Sequence, residues 1–194
     1  QDNIIDRFNT KNKEVAITIN CLGDNENIEE ILNILKKYGV RANFGISGEW
    51  VKQYTEETKK IYENGNGIIV LLEDISSLDY NQTEKTVEEE LNKINKLLNT
   101  EIKLIRCSYG NYNDNITKLA INRDYKIVGW NIDTLDYQGL EANVIWDNIK
   151  NTIMKGDIIS MNSNAENIVD ELELVINSLK GREYELVCLE DRIY

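Results

Sequence analysis

Apolar residues recur along this chain in two alternating rhythms. Val15-Ala16-Ile17-Thr18-Ile19 is a short, β-branched run of buried-strand type, and Ile28, Ile31, Leu32 and Leu35 then repeat at helical spacing. Asn27 stands at the N-cap of that helix with Glu30 three positions on, and Gly39 stops it. Ala42 to Ile46 reads as the next strand, which completes one βαβ unit. The rhythm continues with a helix at Thr55 to Glu63, closed by Gly65, and a strand at Ile68 to Leu72. A long helix follows, with Val87, Leu91, Ile94 and Leu98 on one face, before a strand at Lys103 to Ile105. A helix at Asp114 to Asn122 precedes a strand at Lys126 to Trp130. Val144, Ile145, Ile149 and Ile153 mark a helix before the strand Asp157 to Met161. Ile168, Leu172, Val175 and Leu179 mark the last helix, stopped by Gly181 before the strand Glu185 to Leu189.

Seven strands and six helices in strict alternation predict an α/β fold with a parallel sheet and helices outside it. Periodicity leaves an open doubly wound sheet and a closed barrel as alternatives. Both gather functional groups at the carboxyl ends of the strands. No repeat, linker or low-complexity tract interrupts the pattern, so residues 1–194 read as one domain with a core of about 14–189, a usual domain length.

Composition narrows the function. Hydrophobic residues are 41% and charged residues 29% of the chain, as in ordinary globular proteins. The formal charge of −12 opposes phosphate backbones and anionic lipid, whose binders gain affinity from Lys and Arg, so nucleic acid and membrane surfaces are not expected partners. The longest clear apolar run, Ile68 to Leu72, is far short of the roughly 18 residues that span a bilayer. The chain begins at Gln1 rather than Met, which leaves room for a signal or anchor ahead of it. Proline is absent while Asn, Ile and Lys abound, a hint of a low G+C genome. Cys21, Cys107 and Cys188 lack the CxxC spacing of a zinc or redox pair. There is no histidine, which removes the most common metal ligand and acid–base group.

The residues at the strand ends carry a recognisable order: Val15-Ala16-Ile17-Thr18-Ile19-Asn20-Cys21, Lys36-Lys37-Tyr38-Gly39-Val40-Arg41-Ala42-Asn43-Phe44, Arg106-Cys107-Ser108-Tyr109-Gly110, Trp130-Asn131-Ile132-Asp133-Thr134-Leu135-Asp136-Tyr137 and Gly156-Asp157-Ile158-Ile159. Over about Glu14 to Leu189 this resembles the polysaccharide deacetylases of carbohydrate esterase family 4, the NodB-homology group of chitooligosaccharide and peptidoglycan deacetylases. The resemblance implies a distorted (β/α)7 barrel of TIM-barrel-like type. It also implies a bacterial protein of the cell envelope, extracellular or spore-associated.

The resemblance further implies which positions once carried the chemistry. The family motif T-F-D-D-G, with a general-base Asp and a metal-ligand Asp, falls on Asn20 and Cys21. An amide has no lone pair basic enough to take a proton from a metal-bound water. The two motif histidines that complete the family metal site fall on Leu71 and Ile75, and the general-acid histidine on Asn162. No catalytic or metal residue is intact on this reading, and no zinc or similar cofactor is expected. Arg106 matches the arginine that steadies the base. Tyr109 matches the residue whose backbone N–H helps form the oxyanion site, although Cys107 and Ser108 replace the two family prolines beside it. Asp133 and Asp136 match the acids that orient the acid histidine.

Other arrangements compete with this reading. Asp24, Glu73 and Asp74 form a candidate all-oxygen metal set, against solvated loop acids. Cys21 is a candidate nucleophile or, with Cys107, a candidate disulfide, whereas Cys188 reads as a core residue. Tyr109 and Tyr137, with Asn20 and Asn162, are the candidate ligand-binding residues, since sugar rings lie well on aromatic faces. Trp50 and Trp130 are weaker members of such a platform, Trp146 reads as core, and Glu88-Glu89-Glu90 as a solvated helix face. Three functions follow: a silent homologue binding glycan or an envelope protein, a hydrolase of glycan N-acetyl groups rebuilt around Cys21, Asp133 and Asp136, or an assembly protein with a plugged cleft.

Overall fold

The computed structural model describes residues 3–194. In chain order the strands are β1 (Ile4–Ile5), β2 (Glu14–Asn20), β3 (Asn43–Ile46), β4 (Gly67–Leu72), β5 (Leu104–Cys107), β6 (Lys126–Val128), β7 (Ile132–Asp133), β8 (Ile158–Asn162) and β9 (Glu185–Leu186). The helices are α1 (Ile28–Lys37), α2 (Gly48–Gln53), α3 (Thr55–Glu63), α4 (Tyr80–Leu98), α5 (Asp114–Arg123), α6 (Ala142–Ile149) and α7 (Ile168–Gly181). The strands follow one another around the sheet as β1-β6-β5-β4-β3-β2-β8-β7, with β9 added beside β2, and every ladder is parallel. This curled sheet with its coat of helices is the distorted (β/α)7 barrel.

Side chains alternate across the strands, so the barrel has two cores. The larger one lies between sheet and helices and takes Val15, Ile17, Ile19, Phe44, Val70 and Ile105 among others. The smaller one fills the barrel with Phe8, Ala16, Ile69, Leu104, Val128 and Ile158, covered by Val187 and Leu189. A residue at the end of a strand therefore belongs to the barrel mouth only if its parity points inward.

Three elements escaped the sequence pattern. The two-residue strands β1 and β7 are too short for periodicity, and α2 has only six residues, held by Ser47, whose side chain accepts the Trp50 N–H. The strand expected at Lys126 to Trp130 stops at Val128, because Asn131 turns the chain toward β8: its amide oxygen accepts the Ile158 N–H at 2.7 Å. That turn forms part of a seam closing the barrel. Buried Asp157 accepts there from Arg7 Nε at 2.8 Å, Asn131 Nδ2 at 2.5 Å and the Met154 N–H at 2.7 Å.

Some expected details differ. Asn27 does not cap α1 with its side chain, which instead donates to the Ser163 carbonyl. Gly181 is the last residue of α7 rather than its stop, and the left-handed turn comes at Glu183 (φ 67). Glu90 is not a solvated acid: its Oε2 accepts the Gly48 N–H at 2.6 Å and holds α2 against α4. Glu88 pairs with Arg123, which leaves only Glu89 of the three exposed.

Candidate functional site

The carboxyl ends of β2, β5 and β8 bring Asn20, Arg106 and Asn162 together inside the barrel mouth. Arg106 is 1% exposed, one of the largest fully buried side chains. Its Nη1 donates to Thr18 Oγ1 and Asn20 Oδ1, each at 3.0 Å, its Nε to the Val128 carbonyl at 3.0 Å, and its Nη2 to the Gly129 carbonyl at 2.9 Å. The Trp130 ring lies 5.2 Å away and adds a cation–π contact. None of these partners is a carboxylate. Burial lowers the guanidinium pKa to about 10, the signature of a cation removed from water without a counter-ion beside it.

The second half of the mouth carries the opposite charge. Asp136, also 1% exposed, accepts from the Asn162 backbone N–H at 2.9 Å and from Asn162 Nδ2 at 2.7 Å. Burial raises its pKa while the Asn162 donors oppose the rise. Between the two charges stand the amides. Asn20 gives its oxygen to Arg106 and its nitrogen to Asn162 Oδ1 and Ser160 Oγ, both at 3.3 Å. The run Arg106, Asn20, Asn162, Asp136 is thus a continuous chain of donors and acceptors, with both amides oriented by the charges at its ends. Such a chain is stronger than isolated neutral bonds because its members polarise one another.

Behind Asp136 lies Glu171 of α7, 0% exposed, close enough to donate a hydrogen bond to Asp136 when it carries its proton. Burial first, then the charge of Asp136, raises its pKa to about 10, so it is a neutral acid at pH 7. Sequence reasoning missed it, although the signal was present: Glu171 falls between Ile168 and Val175 on the apolar stripe of α7.

The remaining candidates separate. Leu71 is 4% and Ile75 1% exposed. A methyl added at Gly45 would meet Asn20 Oδ1 at 2.8 Å and Leu71 Cγ at 3.0 Å, so the bare glycine backbone is what lets these two side chains share the floor. Cys21 and Cys107 have outward parity and join the outer core. Both are free thiols, not a disulfide, because β3 and β4 separate their strands. Desolvation pushes the Cys21 thiol far up and Cys107 to about 12, the opposite of an activated nucleophile. Cys188 is also buried and free, as a core residue should be. Asp133 is exposed, its Oδ1 accepting the Leu135 N–H, so Cys21, Asp133 and Asp136 face three different environments rather than one rebuilt site. Among the described residues no three His, Cys, Asp or Glu side chains are placed to hold a metal ion, and Asp24, Glu73 and Asp74 are loop acids in solvent. The side chains present do not fit the family's metal.

The rim is aromatic. Tyr109 is 90% exposed and sits at φ 59, an unfavourable backbone for a bulky residue, and Tyr137 is 63% exposed. Trp130, half-buried, lies against Gly110, whose added methyl would stand 3.9 Å from the indole. Trp50 is core, its ring tilted against that of Tyr54 at 5.0 Å, and half-buried Trp146 is covered by Arg182.

The polysaccharide deacetylase family model matches residues 7–128, the larger part of this parallel (β/α)7 barrel. The chain belongs to that family. It is 31% identical over 187 residues to a peptidoglycan-N-acetylglucosamine deacetylase of Bacillus cereus, covering 91% of this chain and 66% of that protein. The chain spans 66% and 54% of the lengths of two curated relatives. A solved peptidoglycan N-acetylglucosamine deacetylase superposes with a TM-score of 0.93 at 25% identity, over 98% of this chain and 92% of that one. A CE4 family pseudoenzyme from Bacillus anthracis superposes with a TM-score of 0.91 at 24% identity, over 98% and 69% of the two chains. Among the described residues no helix is long and apolar enough to cross a membrane.

Proposed function

We propose that this chain is a catalytically silent polysaccharide deacetylase homologue of the bacterial cell envelope, holding glycan at the mouth of its barrel. The observation that carries the reading is Arg106. Its partner at the base position is the neutral Asn20, which can neither accept a proton nor balance the cation. Leu71 and Ile75 offer no donor atom where the family motif has histidines, and the amide of Asn162 cannot protonate a leaving amine. What the mouth retains is a binding surface: the exposed rings of Tyr109 and Tyr137 around a rigid polar floor. Incubating the protein with acetylated chitooligosaccharides and peptidoglycan, with added Zn²⁺ or Co²⁺, is expected to release no acetate. Metal-dependent release that disappears on heating would overturn the proposal.

A second reading, an assembly protein with a plugged mouth, draws support from the floor itself. Asn20 and Asn162 spend their hydrogen-bonding groups on each other and on Arg106, Ser160 and Asp136, while Leu71 and Ile75 are buried. A peptidoglycan pull-down separates the two: retention that falls on replacing Tyr109 and Tyr137 by Ala favours glycan, and no retention favours assembly.

A further inference from the structure

A cavity of about 230 Å³ opens at the end of the barrel opposite the mouth, lined by the starts of β4 and β5 and by the carboxyl-terminal turn at Leu189–Asp191. It is smaller than the roughly 300–1,000 Å³ usual for small-molecule sites, so it suits one side-chain-sized group rather than a nucleotide. Ile68, Ile102 and Leu104 give it apolar walls, and the partly exposed Tyr62 and Tyr194 add aromatic surface.

The half-buried carboxylate of Glu190 lies at this cavity and is held in place. Asn43, 0% exposed, donates its Nδ2 to both Glu190 oxygens, at 2.9 and 2.8 Å, while its own Oδ1 accepts the Leu189 N–H at 2.9 Å. Gly67 gives the carboxylate its room. A methyl there would collide with both Glu190 oxygens and with Asn43 Nδ2, and Gly67 is not at positive φ, so space rather than backbone conformation calls for glycine. The two bases at the cavity are engaged elsewhere: Arg41 pairs with Asp191 at 2.6 Å and Lys103 with Asp124 at 3.7 Å. Among the described residues no base pairs with Glu190. Burial pushes its pKa up and the Asn43 amide opposes the rise, so a neutral donor is the strongest compensation it has.

We propose that this cavity binds an aliphatic primary ammonium, the end of a lysine-like side chain or of a free alkylamine, with its nitrogen on Glu190 and its methylenes along Ile68, Ile102 and Leu104. The form of the carboxylate selects among cations. Asn43 Nδ2 sits between the two oxygens, where a guanidinium would place its fork, so a compact ammonium fits the remaining lone pairs better. A bare divalent ion needs several oxygen ligands, and among the described residues no group of His, Cys, Asp and Glu side chains is placed to supply them. The site shares no residue with the mouth and stands or falls independently of the glycan reading.

The test follows the backbone amides of the whole chain by NMR during titration with n-pentylammonium, with n-pentanol as a neutral probe of the same length, and with N-acetyl-lysinamide. Shifts are expected at Ile68, Lys103 and Leu104, with the ammonium about tenfold tighter than the alcohol at low salt. Tighter binding of the lysinamide than of pentylammonium would support a peptide-borne ligand, and the reverse order a free amine. Glu190→Gln should bring the ammonium down to the level of the alcohol. Glu190→Asp, which keeps the charge but draws it back from Gly67, should lose most of the preference, while Glu101→Gln on the same cavity should leave it in place. Equal affinities for ammonium and alcohol, a preference that survives both Glu190 variants, or shifts confined to the mouth around Tyr109 and Tyr137 would each overturn the proposal. So would the absence of shifts with every probe. If Glu190→Gln does not fold, an undiminished preference in Glu190→Asp suffices to overturn it.

Discussion

The amino-terminal base of the barrel and its mouth solve the problem of buried charge differently. At the base, each buried carboxylate has its donors. Glu14, 3% exposed, takes Arg192 and Thr10, and the Arg192 hydrogen bond leads the effects that hold its pKa below the usual carboxylate range. Asp157 takes Arg7, Asn131 and a backbone N–H. At the mouth the charges are halves of pairs: Arg106 faces an amide and Asp136 faces an amide, with the neutral Glu171 packed beside it. Charge is retained at the base because it closes the seam. At the mouth it is held because two amides connect Arg106 to Asp136.

The sharpest way to break this comparison is at the seam. Asp157→Ala leaves the Asn131 amide and the Met154 N–H without their acceptor and frees the half-exposed Arg7 to water, and should cost about 2–4 kcal/mol in urea unfolding. A loss below about 1 kcal/mol would mean that the pairing at the base is idle.

At the mouth the opposite sign is expected. The folded state keeps Glu171 protonated up to about pH 10, whereas the unfolded chain releases that proton above the ordinary carboxylate pKa. Between those values the unfolded state binds fewer protons, so stability falls as pH rises, by at most about 1.4 kcal/mol per pH unit from this group. Glu171→Gln should therefore stabilise the protein at pH 7 by roughly 1–3 kcal/mol and flatten that part of the profile between pH 5 and 8. Unchanged stability and slope in paired denaturant titrations would show that Glu171 is not held neutral.

The smallest effect sharpens the amide chain. Asn20→Ala and Asn162→Ala, with the double variant, should show a coupling energy of about 0.5–1.5 kcal/mol. Additivity within about 0.3 kcal/mol would mean that the two amides stand side by side without cooperating.

The βα alternation was legible because each long element buries a full stripe, as α4 does with Val87, Leu91 and Ile94. β1, β7 and α2 were not, since two to six residues do not sustain a period and are fixed by partners such as Asn131 and Ser47. At the site, the positions named from the family order, Asn20, Arg106, Asp136 and Asn162, are gathered at one mouth. Cys21 stands apart from them, because its parity points into the layer beneath the helices although it directly follows the strand. Glu171 was invisible because its charge outweighed its place on an apolar stripe.

The fixed direction of the amide chain also limits which side chains positions 20 and 162 can take together. Arg106 can only donate and Asp136, when ionised, can only accept, so both amides must point the same way between them. Placing a carboxylate at position 20 alone would set its oxygen against the Asn162 side-chain carbonyl, across the 3.3 Å now spanned by a hydrogen bond. A carboxylate at position 20 thus breaks an existing contact unless position 162 changes with it, and the two positions are free to vary only as a pair.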